Sequence, residues 1–217
     1  MIQVSELHFS TEDGIKVLED IHLHVDRGEY VVLLGAASAG KTLLLGLLGA
    51  LVPPQRGQIL VHGRNVARLG RNRALELRRR IGFLPQGFVP LPRTVFDNLL
   101  FKLRVLGNDR DDAEEKALLA LETVGLIRER ATYAEDLPPV ERVRLGLALA
   151  LCDSPLLLLL DEPFDGLDPD EQESVGSLLA KIHDRRSTLV VATRGPIPRS
   201  GQPDRVFSLV DGRVALS

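Results

Sequence analysis

A glycine-containing segment near the N-terminus has the residue types and the spacing of a phosphate-binding loop. Two glycines separated by four residues precede a lysine and a threonine, in the order Gly35, Ala36, Ala37, Ser38, Ala39, Gly40, Lys41 and Thr42. Small residues let successive backbone amides curl around a phosphate, and the helix expected after them directs its positive end there. We expect Lys41 to reach the outer phosphates of a nucleotide and the Thr42 hydroxyl to bind Mg²⁺. A chance strand–turn–helix is the alternative, and the apolar run before the loop argues against it.

A second set of candidate residues follows a run of five leucines. Residues 156–160 are all leucine, and Asp161 and Glu162 come directly after them. A buried strand that ends in two carboxylates places charge at the carboxyl edge of a parallel sheet, where ligands bind. Asp161 is then a candidate ligand for Mg²⁺, and Glu162 is a candidate to polarise an attacking water. A core strand that ends in solvated acids is the alternative, and the phosphate loop in the same chain argues against it.

The rest of the pattern predicts the elements that must position these residues. Residues 30–34 are apolar without alternation, as in a strand covered on both faces, and the residues before them have the alternation of β-structure. Thr94 is a candidate N-cap, Asp111 and Asp112 open the following helix, and Gly125 ends that helix as a C-terminal glycine would. Helices are predicted over about 41–51, 95–103, 111–124, 140–151 and 170–183, and further strands over 58–61, 156–160, 188–192 and near residues 206 and 214.

The order of these elements predicts an α/β fold. Strands come first, a helical block follows, and strands then alternate with helices. This order is typical of a parallel-sheet core that carries a helical insertion. We predict a single domain over residues 1–217, with a helical subdomain of about 87–151 inserted into the core.

Four motifs, in their order along the chain, resemble those of the ABC ATPases. The phosphate loop is followed by Leu84-Pro85-Gln86-Gly87, by Asp161-Glu162-Pro163 and by Gly166-Leu167-Asp168-Pro169. The resemblance extends over essentially the whole chain. Its spacing is specific, because other phosphate-loop enzymes rarely have an Asp-Glu-Pro followed by a Leu-Asp loop. Within the family, the chain is most similar to the FtsE/LolD/MacB branch at Arg93-Thr94-Val95-Phe96-Asp97-Asn98-Leu99.

This resemblance implies a P-loop NTPase fold of the ABC type. The implied parts are a RecA-like parallel-sheet core, an N-terminal antiparallel β-subdomain and an inserted helical subdomain. ATP and Mg²⁺ are the implied cofactors. All eight residues of the phosphate loop are expected to contact ATP, and Thr42, Gln86 and Asp161 are expected to bind the metal. Gln86 corresponds to the family's Q-loop residue, which senses the metal and couples to a membrane partner. Asp168 corresponds to the aspartate at the seam between two ABC subunits.

The resemblance also implies the partners. Members of the FtsE/LolD/MacB branch pair with membrane proteins for cell division, lipoprotein release or efflux. We therefore expect a permease-like integral membrane subunit as one partner. We expect a second ABC subunit, identical or different, as the other, and no nucleic acid.

The family's signature motif is altered in this chain. Where the family has Leu-Ser-Gly-Gly-Gln or Leu-Ser-Gly-Gly-Glu, which contacts the γ-phosphate on the opposite subunit, this chain has Leu137, Pro138, Pro139, Val140 and Glu141. Proline has no backbone N–H, so this helix start lacks donors with which such a helix cradles a phosphate. We expect the two subunits to close on ATP less effectively than in the family.

Two further positions depart from the family pattern. The switch histidine is replaced by Arg194, a permanent cation that cannot act as a neutral acceptor but can pair with a γ-phosphate. We keep Arg194 as a candidate catalytic residue, together with Glu162 and Gln86. The aromatic residue that stacks on adenine falls on Thr11, and Phe9 is the candidate substitute.

Composition and charge argue against several other classes. Of 217 residues, 44% are apolar and 26% are charged, and the net charge of −3 gives no general attraction to nucleic acid. The longest apolar stretch, residues 43–52, is about half as long as the ~20 residues that a membrane-spanning helix needs. The single cysteine, Cys152, and the lack of a signal-peptide pattern predict a cytoplasmic protein that reaches the inner face of the membrane through its partner.

An arginine-rich stretch and a pair of histidines have plainer explanations than ligand binding. The arginines between residues 64 and 80 predict a solvated face or a contact with a partner, because no aromatic residues are interleaved for nucleic-acid stacking. His22 and His24 share one face of a strand, but no third metal ligand lies nearby in sequence.

We predict an ATP-binding subunit of an ABC transporter or of an FtsEX-like membrane complex, which couples ATP binding and hydrolysis to its membrane partner. Hydrolysis of ATP to ADP and phosphate by the isolated subunit is expected to be weak. A non-hydrolysing, ATP-dependent scaffold is the alternative, and it shares every binding residue. A DNA-associated ABC protein is the third hypothesis. It predicts a long coiled-coil insertion or a basic groove, and the chain is too short for the insertion.

Overall fold

The computed structural model describes residues 1–183 and 187–216, which form two β-sheets and six α-helices. The strands are β1 (Ile2–Ser10), β2 (Lys16–Val25), β3 (Tyr30–Leu34), β4 (Arg56–Val61), β5 (Arg64–Asn65), β6 (Ile81–Leu84), β7 (Leu157–Asp161), β8 (Thr188–Thr193), β9 (Arg205–Val210) and β10 (Arg213–Leu216). The helices are α1 (Lys41–Leu48), α2 (Arg71–Arg79), α3 (Val95–Leu106), α4 (Arg110–Val124), α5 (Pro139–Leu151) and α6 (Pro169–His183).

The two sheets differ in their strand directions. The larger sheet has the order β10-β9-β3-β8-β7-β6, and its strands are parallel except β10, which pairs antiparallel with β9. In its register, Val32 of β3 lies opposite Val191 of β8 and Val206 of β9. The smaller sheet is antiparallel, with the order β2-β1-β4-β5. This architecture confirms the predicted α/β class with a parallel core and an N-terminal antiparallel sheet.

The larger sheet is covered on both faces. Along β3, Tyr30 and Val32 belong to the apolar cluster beneath the helices α3–α6, whereas Val31 and Leu33 belong to the cluster shared with α1 and the smaller sheet. Alternation of side chains along a strand sends successive residues to opposite faces, and both faces are apolar here. The unbroken apolar run at residues 30–34 is explained by this double burial.

The helices between β6 and β7 have the local signals that their sequence predicts, with one correction. The backbone N–H of Asp97 donates to the Thr94 hydroxyl oxygen at 3.1 Å, which confirms Thr94 as the N-cap of α3. Gly125 follows α4 with a φ of 79°, as predicted. The start of α4 was placed too late, because Asp109 is the N-cap and accepts from the N–H of Asp112 at 2.9 Å.

Two glycines allow α5 to lie directly on β6. A Cβ atom at Gly82 would lie 2.3 Å from the carbonyl oxygen of Ala150, and one at Gly146 would lie 2.4 Å from Leu84 Cδ1. Both separations are too short for a side chain. Glycine at these positions therefore fixes the distance between the inserted helices and the edge of the parallel sheet.

The sequence pattern missed α2 and β6. The arginine-rich stretch forms β5, a short 3₁₀ turn and α2, in which Leu77 is the buried residue. Arg64 forms a surface ion pair with Glu76 at 3.4 Å, which agrees with a solvated face. Among the described residues, no helix is both long and apolar enough to cross a bilayer.

Candidate functional site

The sheet topology brings predicted site residues from four parts of the chain to one edge. Strands β3, β8, β7 and β6 are neighbours and run in parallel, so their carboxyl ends lie side by side. The phosphate loop follows β3, and Arg194 follows β8. Asp161 ends β7, and Gln86 lies just beyond β6. Residues that are far apart in sequence therefore meet where ligands bind to open parallel sheets.

The loop from Gly35 to Gly40 has a backbone that depends on small residues. Ser38 and Gly40 have φ angles of 65° and 98°, in the left-handed region. A Cβ atom at Gly35 would lie 2.6 Å from the carbonyl oxygen of Leu209, so only glycine fits there. Helix α1 begins directly after the loop, at Lys41. Its first amides have no partner within the helix and are directed toward the loop.

Lys41 is held over the loop by oxygen atoms. Its Nζ donates to the carbonyl oxygens of Gly35 at 2.8 Å and Ala36 at 3.0 Å. It also lies 3.1 Å from Oε1 of Glu162, and both side chains are only 6% exposed. A buried cation paired in this way can exchange its carboxylate partner for a phosphate without losing compensation of its charge.

Glu162 is oriented by three contacts. Its backbone adopts a φ of 50°, which is uncommon for a residue other than glycine, and its N–H donates to the carbonyl oxygen of Ala192 at 2.8 Å. Besides the contact with Lys41, its Oε2 accepts a hydrogen bond from the backbone N–H of Arg194 at 3.0 Å. The carboxylate thus links the end of β7 to the phosphate loop and to the residue after β8.

Asp161 has the surroundings of a metal ligand. It is 1% exposed, and neither carboxylate oxygen accepts a hydrogen bond of good geometry from the residues that the structure describes. Burial raises the pKa of this carboxyl, and the nearby Thr42 hydroxyl opposes the rise. A buried, unpartnered carboxylate beside a hydroxyl is an oxygen donor set that fits Mg²⁺. The residues present therefore fit the metal that the resemblance implies.

The Arg194 side chain forms an ion pair with Asp165. Its Nη2 lies 2.6 Å from Oδ2 of Asp165, and each side chain is a little over 40% exposed. The hydrogen bond from Arg194 is the main reason why the pKa of Asp165 lies below its ordinary value, and a hydrogen bond from Gln86 contributes less. Asp165 was not among the predicted site residues, although it joins two that were.

A cavity of about 200 Å³ connects the carboxylates to the start of α5. Asp161 and Glu162 line this cavity, and so do Pro139 and Arg142 of α5. Asp165 also lines this cavity. The inserted helices therefore contribute directly to the surroundings of the site.

A groove of about 470 Å³ is lined in part by residues 36–39 of the phosphate loop. Ile15, Lys16 and Val17 also line it, and Ile15 is 65% exposed. Phe9, the predicted adenine-stacking residue, lies in β1 opposite Leu18 and packs on the core, outside the lining of this groove. Its role stays a prediction. The turn at residues 12–14 marks the hairpin that carries the three groove residues, but no sequence pattern marks these residues as part of a binding site.

Helix α5 begins with the two prolines of the altered signature. Pro138 is the N-cap and makes no side-chain capping bond, and Pro139 is the first helical residue. The carbonyl oxygen of Pro138 accepts from the N–H of Arg142 at 3.0 Å, so the helix is regular from its first turn. Glu141 places a carboxylate in that turn. A proline start suits a helix well, but it removes backbone donors that a phosphate would use.

Asp168 has a structural role of its own. Its Oδ1 accepts from the N–H of Glu171 at 2.9 Å, and a Glu171 carboxylate oxygen accepts from the N–H of Asp168 at 3.0 Å. This reciprocal pair is a capping box at the start of α6. Asp168 therefore fixes the loop that joins β7 to α6, whether or not a second subunit contacts it.

Comparison with known proteins identifies the family. The family model described as ABC transporter matches residues 18–165, which include the phosphate loop and both carboxylates. The chain belongs to the ABC transporter family.

Two relatives of this family are similar over almost the whole chain. The cell division ATP-binding protein FtsE of Bacillus subtilis is 30% identical over 215 residues, which cover 99% of this chain and 94% of FtsE. The methionine import ATP-binding protein MetN of Carboxydothermus hydrogenoformans is 32% identical over 216 residues. The chain spans only 64% of the length of that MetN protein.

Two solved structures share the fold. The cbiO1 protein of Clostridium perfringens, part of the ABC transporter complex cbiONQ, aligns with a TM-score of 0.91 and 26% identity, covering 99% of this chain and 86% of cbiO1. An ATP-binding cassette solved as a dimer in a post-hydrolysis state with ADP and Pi aligns with a TM-score of 0.87 and 26% identity, covering 99% and 96% of the two chains. Both structures agree with the expected ABC-type fold.

Proposed function

We propose that this chain is an ATP-binding subunit that acts through an integral membrane partner. The observation that carries the proposal is the arrangement of Lys41, Asp161 and Glu162 around the phosphate loop. The relatives support it, because they are named as ATP-binding proteins of cell division and of methionine import. The place of action would be the inner face of the membrane.

The residues of the site would have different roles toward Mg·ATP. Lys41 and the amides of the loop would bind the β- and γ-phosphates, and the small side chains of the loop would leave room for close approach. Asp161, Thr42 and Gln86 would hold Mg²⁺, which neutralises developing negative charge on the phosphates when bound. Glu162, once released from Lys41, would accept a proton from the attacking water. Ile15 and Val17 offer apolar surface for the base.

An apolar surface beside Gln86 fits the membrane partner. Val89 is 82% exposed, and Leu91, Phe101 and Val105 are each at least 40% exposed. Buried Asn98 ties the loop to α3, because its Oδ1 accepts from the N–H of Leu91 at 2.9 Å. Asn98 therefore holds this loop against the helix. Exposed apolar residues grouped in this way are typical of protein–protein contacts.

The start of α5 argues for weak turnover by two copies of this chain. In the family, the signature helix of one subunit faces the ATP of the other. Here that helix would present Pro138 and Pro139 to a phosphate. The missing donors disfavour the closed dimer. We propose that efficient hydrolysis needs a partner subunit with an intact signature. A non-hydrolysing scaffold remains the second candidate, favoured by the same observation.

Binding of Mg·ATP by Lys41→Ala tests the proposal. The substitution removes the charge-assisted contacts to phosphate and leaves Glu162 without its buried partner. We expect affinity for Mg·ATP to fall about a hundred-fold, because two such contacts are lost. Isothermal titration calorimetry on the purified full chain measures the change.

Lys181→Ala is the matched control, because Lys181 is exposed near the end of α6. It should bind Mg·ATP as the wild type does. Equal affinity of wild type and Lys41→Ala would contradict the proposed function.

A further inference from the structure

Arg194 and Asp165 form an ion pair at the rim of the phosphate site that none of the family motifs accounts for. The two residues are 29 positions apart and meet because β7 and β8 end side by side. Their contact at 2.6 Å holds the Arg194 guanidinium against the loop that follows Glu162. Asp165 shares the cavity with Asp161 and Glu162, so this ion pair borders the reaction site.

The backbone of Arg194 lies close to the phosphate-binding residues Lys41 and Glu162. The backbone N–H of Arg194 contacts Glu162 at 3.0 Å, and the opposite oxygen of the same carboxylate contacts Lys41 at 3.1 Å. One carboxylate therefore separates the backbone of Arg194 from the phosphate-binding cation. An arginine side chain is long and flexible, and its planar group suits phosphate geometry.

We infer that Asp165 is a positioning residue that stores the Arg194 guanidinium in the nucleotide-free chain, and that the γ-phosphate of ATP takes the guanidinium from it. ADP has no γ-phosphate and leaves the Arg194–Asp165 pair in place. Arg194 thereby distinguishes ATP from ADP, and Asp165 sets how readily it does so. The inference rests on the proposed function, since it requires ATP at this site.

The exposure of the pair makes the exchange easy. Both side chains are more than 40% exposed, and exposed ion pairs are weak because water and salt screen them. A γ-phosphate beside Mg²⁺ and Lys41 offers more negative charge in a more enclosed place. Breaking the Asp165 contact therefore costs little compared with what the phosphate contact gains.

The exchange would also change what surrounds Gln86. The Gln86 side chain donates to the same Asp165 carboxylate that holds Arg194. When Arg194 moves to the phosphate, Asp165 loses its closest cation and keeps Gln86. Gln86 precedes the loop that carries Val89 and Leu91 of the apolar surface. The state of the nucleotide is thus connected to the partner surface through one carboxylate.

A double-mutant cycle with two nucleotides tests the inference. Affinities for Mg·ATP and Mg·ADP are measured by calorimetry on the full chain for wild type, Asp165→Asn, Arg194→Ala and the double variant. Asp165→Asn should bind ATP about two- to five-fold more tightly, because it frees the guanidinium from a weak pair. Arg194→Ala should bind ATP about ten-fold more weakly, because a charge-assisted contact is lost. Both should bind ADP as the wild type does.

Several results of the double-mutant cycle would contradict the inference. In the Arg194→Ala background, Asp165→Asn should have no effect on ATP affinity, since it acts only through the arginine. Equal effects on ATP and ADP, weaker ATP binding by Asp165→Asn, no change, or an effect that survives in the Arg194→Ala background would each overturn the inference. Glu114→Gln, which removes the exposed pair with Arg110 on α4, is the control and should change neither affinity.

Two readouts keep the inference separate from the proposed function. If Asp165→Asn does not fold, Arg194→Ala alone tests the inference, because this variant must bind ATP more weakly and bind ADP as the wild type does. Wild type that binds ATP through Lys41 but shows no dependence on Arg194 overturns only the inference. Wild type that fails to bind ATP overturns the proposed function, and the inference with it.

Discussion

The phosphate loop and the start of α5 would contact the same kind of ligand, yet they are built differently. At the loop, the Lys41 ammonium donates to two carbonyl oxygens and pairs with the Glu162 carboxylate. These contacts hold both side chains in place. At the start of α5, Pro138 makes no side-chain contact as a cap, and Pro139 begins a regular helix. The first region has a buried cation and small residues that suit an anion. The second is a regular helix start whose first two positions, Pro138 and Pro139, have no backbone N–H.

This difference separates binding from turnover. Binding of ATP requires only the loop and the residues of its own subunit. Acceleration of hydrolysis requires donors that meet the γ-phosphate as charge develops, and in this family the other subunit supplies some of them. A chain can therefore keep the first function and lose the second, and this chain has the residues that such a separation requires.

The largest expected effect comes from restoring the signature. The substitutions Pro138→Ser, Pro139→Gly, Val140→Gly and Glu141→Gln together give the Leu-Ser-Gly-Gly-Gln signature of the family and return two backbone donors and a hydroxyl. We expect phosphate release by the purified protein to rise by at least about 10², because one preorganised donor is typically worth about 10²–10³ in rate. A steady-state phosphate-release assay measures it.

The same four substitutions combined with Glu162→Gln are the control for the restored signature, and they should show no rise. A restored protein that folds and binds Mg·ATP but hydrolyses it no faster would show that α5 is not what limits turnover.

A smaller effect is expected where α5 meets the sheet. Gly82→Ala places a Cβ atom 2.3 Å from the carbonyl oxygen of Ala150, so α5 must shift. We expect a loss of about 2 kcal/mol in the free energy of unfolding, measured by urea denaturation. Gly70→Ala is the control, because a Cβ atom there meets no atom within 4 Å. Equal stability of the Gly82→Ala protein and wild type would mean that the position of α5 is not fixed by this contact.

The smallest effect is expected at the capping box of α6. Asp168→Ala removes one of its two hydrogen bonds and should lower the free energy of unfolding by about 1 kcal/mol. Its affinity for Mg·ATP should not change, because the capping box lies outside the phosphate loop. Asp170→Ala, in the same first turn but without the cap bond, should lose less. A loss of ATP affinity in Asp168→Ala, without a loss of stability, would assign the residue to the site instead.

Local patterns predicted the loop and most of the elements. The glycine spacing and the flanking apolar runs were sufficient for β3, the loop and α1, and Thr94 and Gly125 marked helix ends. Elements without a local pattern were missed. Helix α2 is mostly arginine with one buried leucine, and β6 is four residues long. Neither length nor periodicity distinguishes such segments from a loop.

Contacts between residues that are distant along the chain could not be predicted from the sequence. Asp165 and Arg194 meet only because β7 and β8 are neighbours, which strand patterns alone do not establish. The same holds for Glu162, whose sequence position predicted a carboxylate at the sheet edge but not its contact with Lys41. Burial of Asp161 could be expected from the leucines before it, whereas its lack of partners could not. Side-chain pairing depends on topology, and topology depends on the whole chain.

The separation of ATP binding from ATP hydrolysis is tested by phosphate release from the purified wild-type protein, measured with saturating Mg·ATP beside Glu162→Gln. We expect the wild type to bind Mg·ATP and to release phosphate no faster than Glu162→Gln, because two copies of this chain offer each other only the proline start of α5. Robust turnover by the wild type that Glu162→Gln abolishes would contradict it, since the altered signature would then be sufficient for hydrolysis.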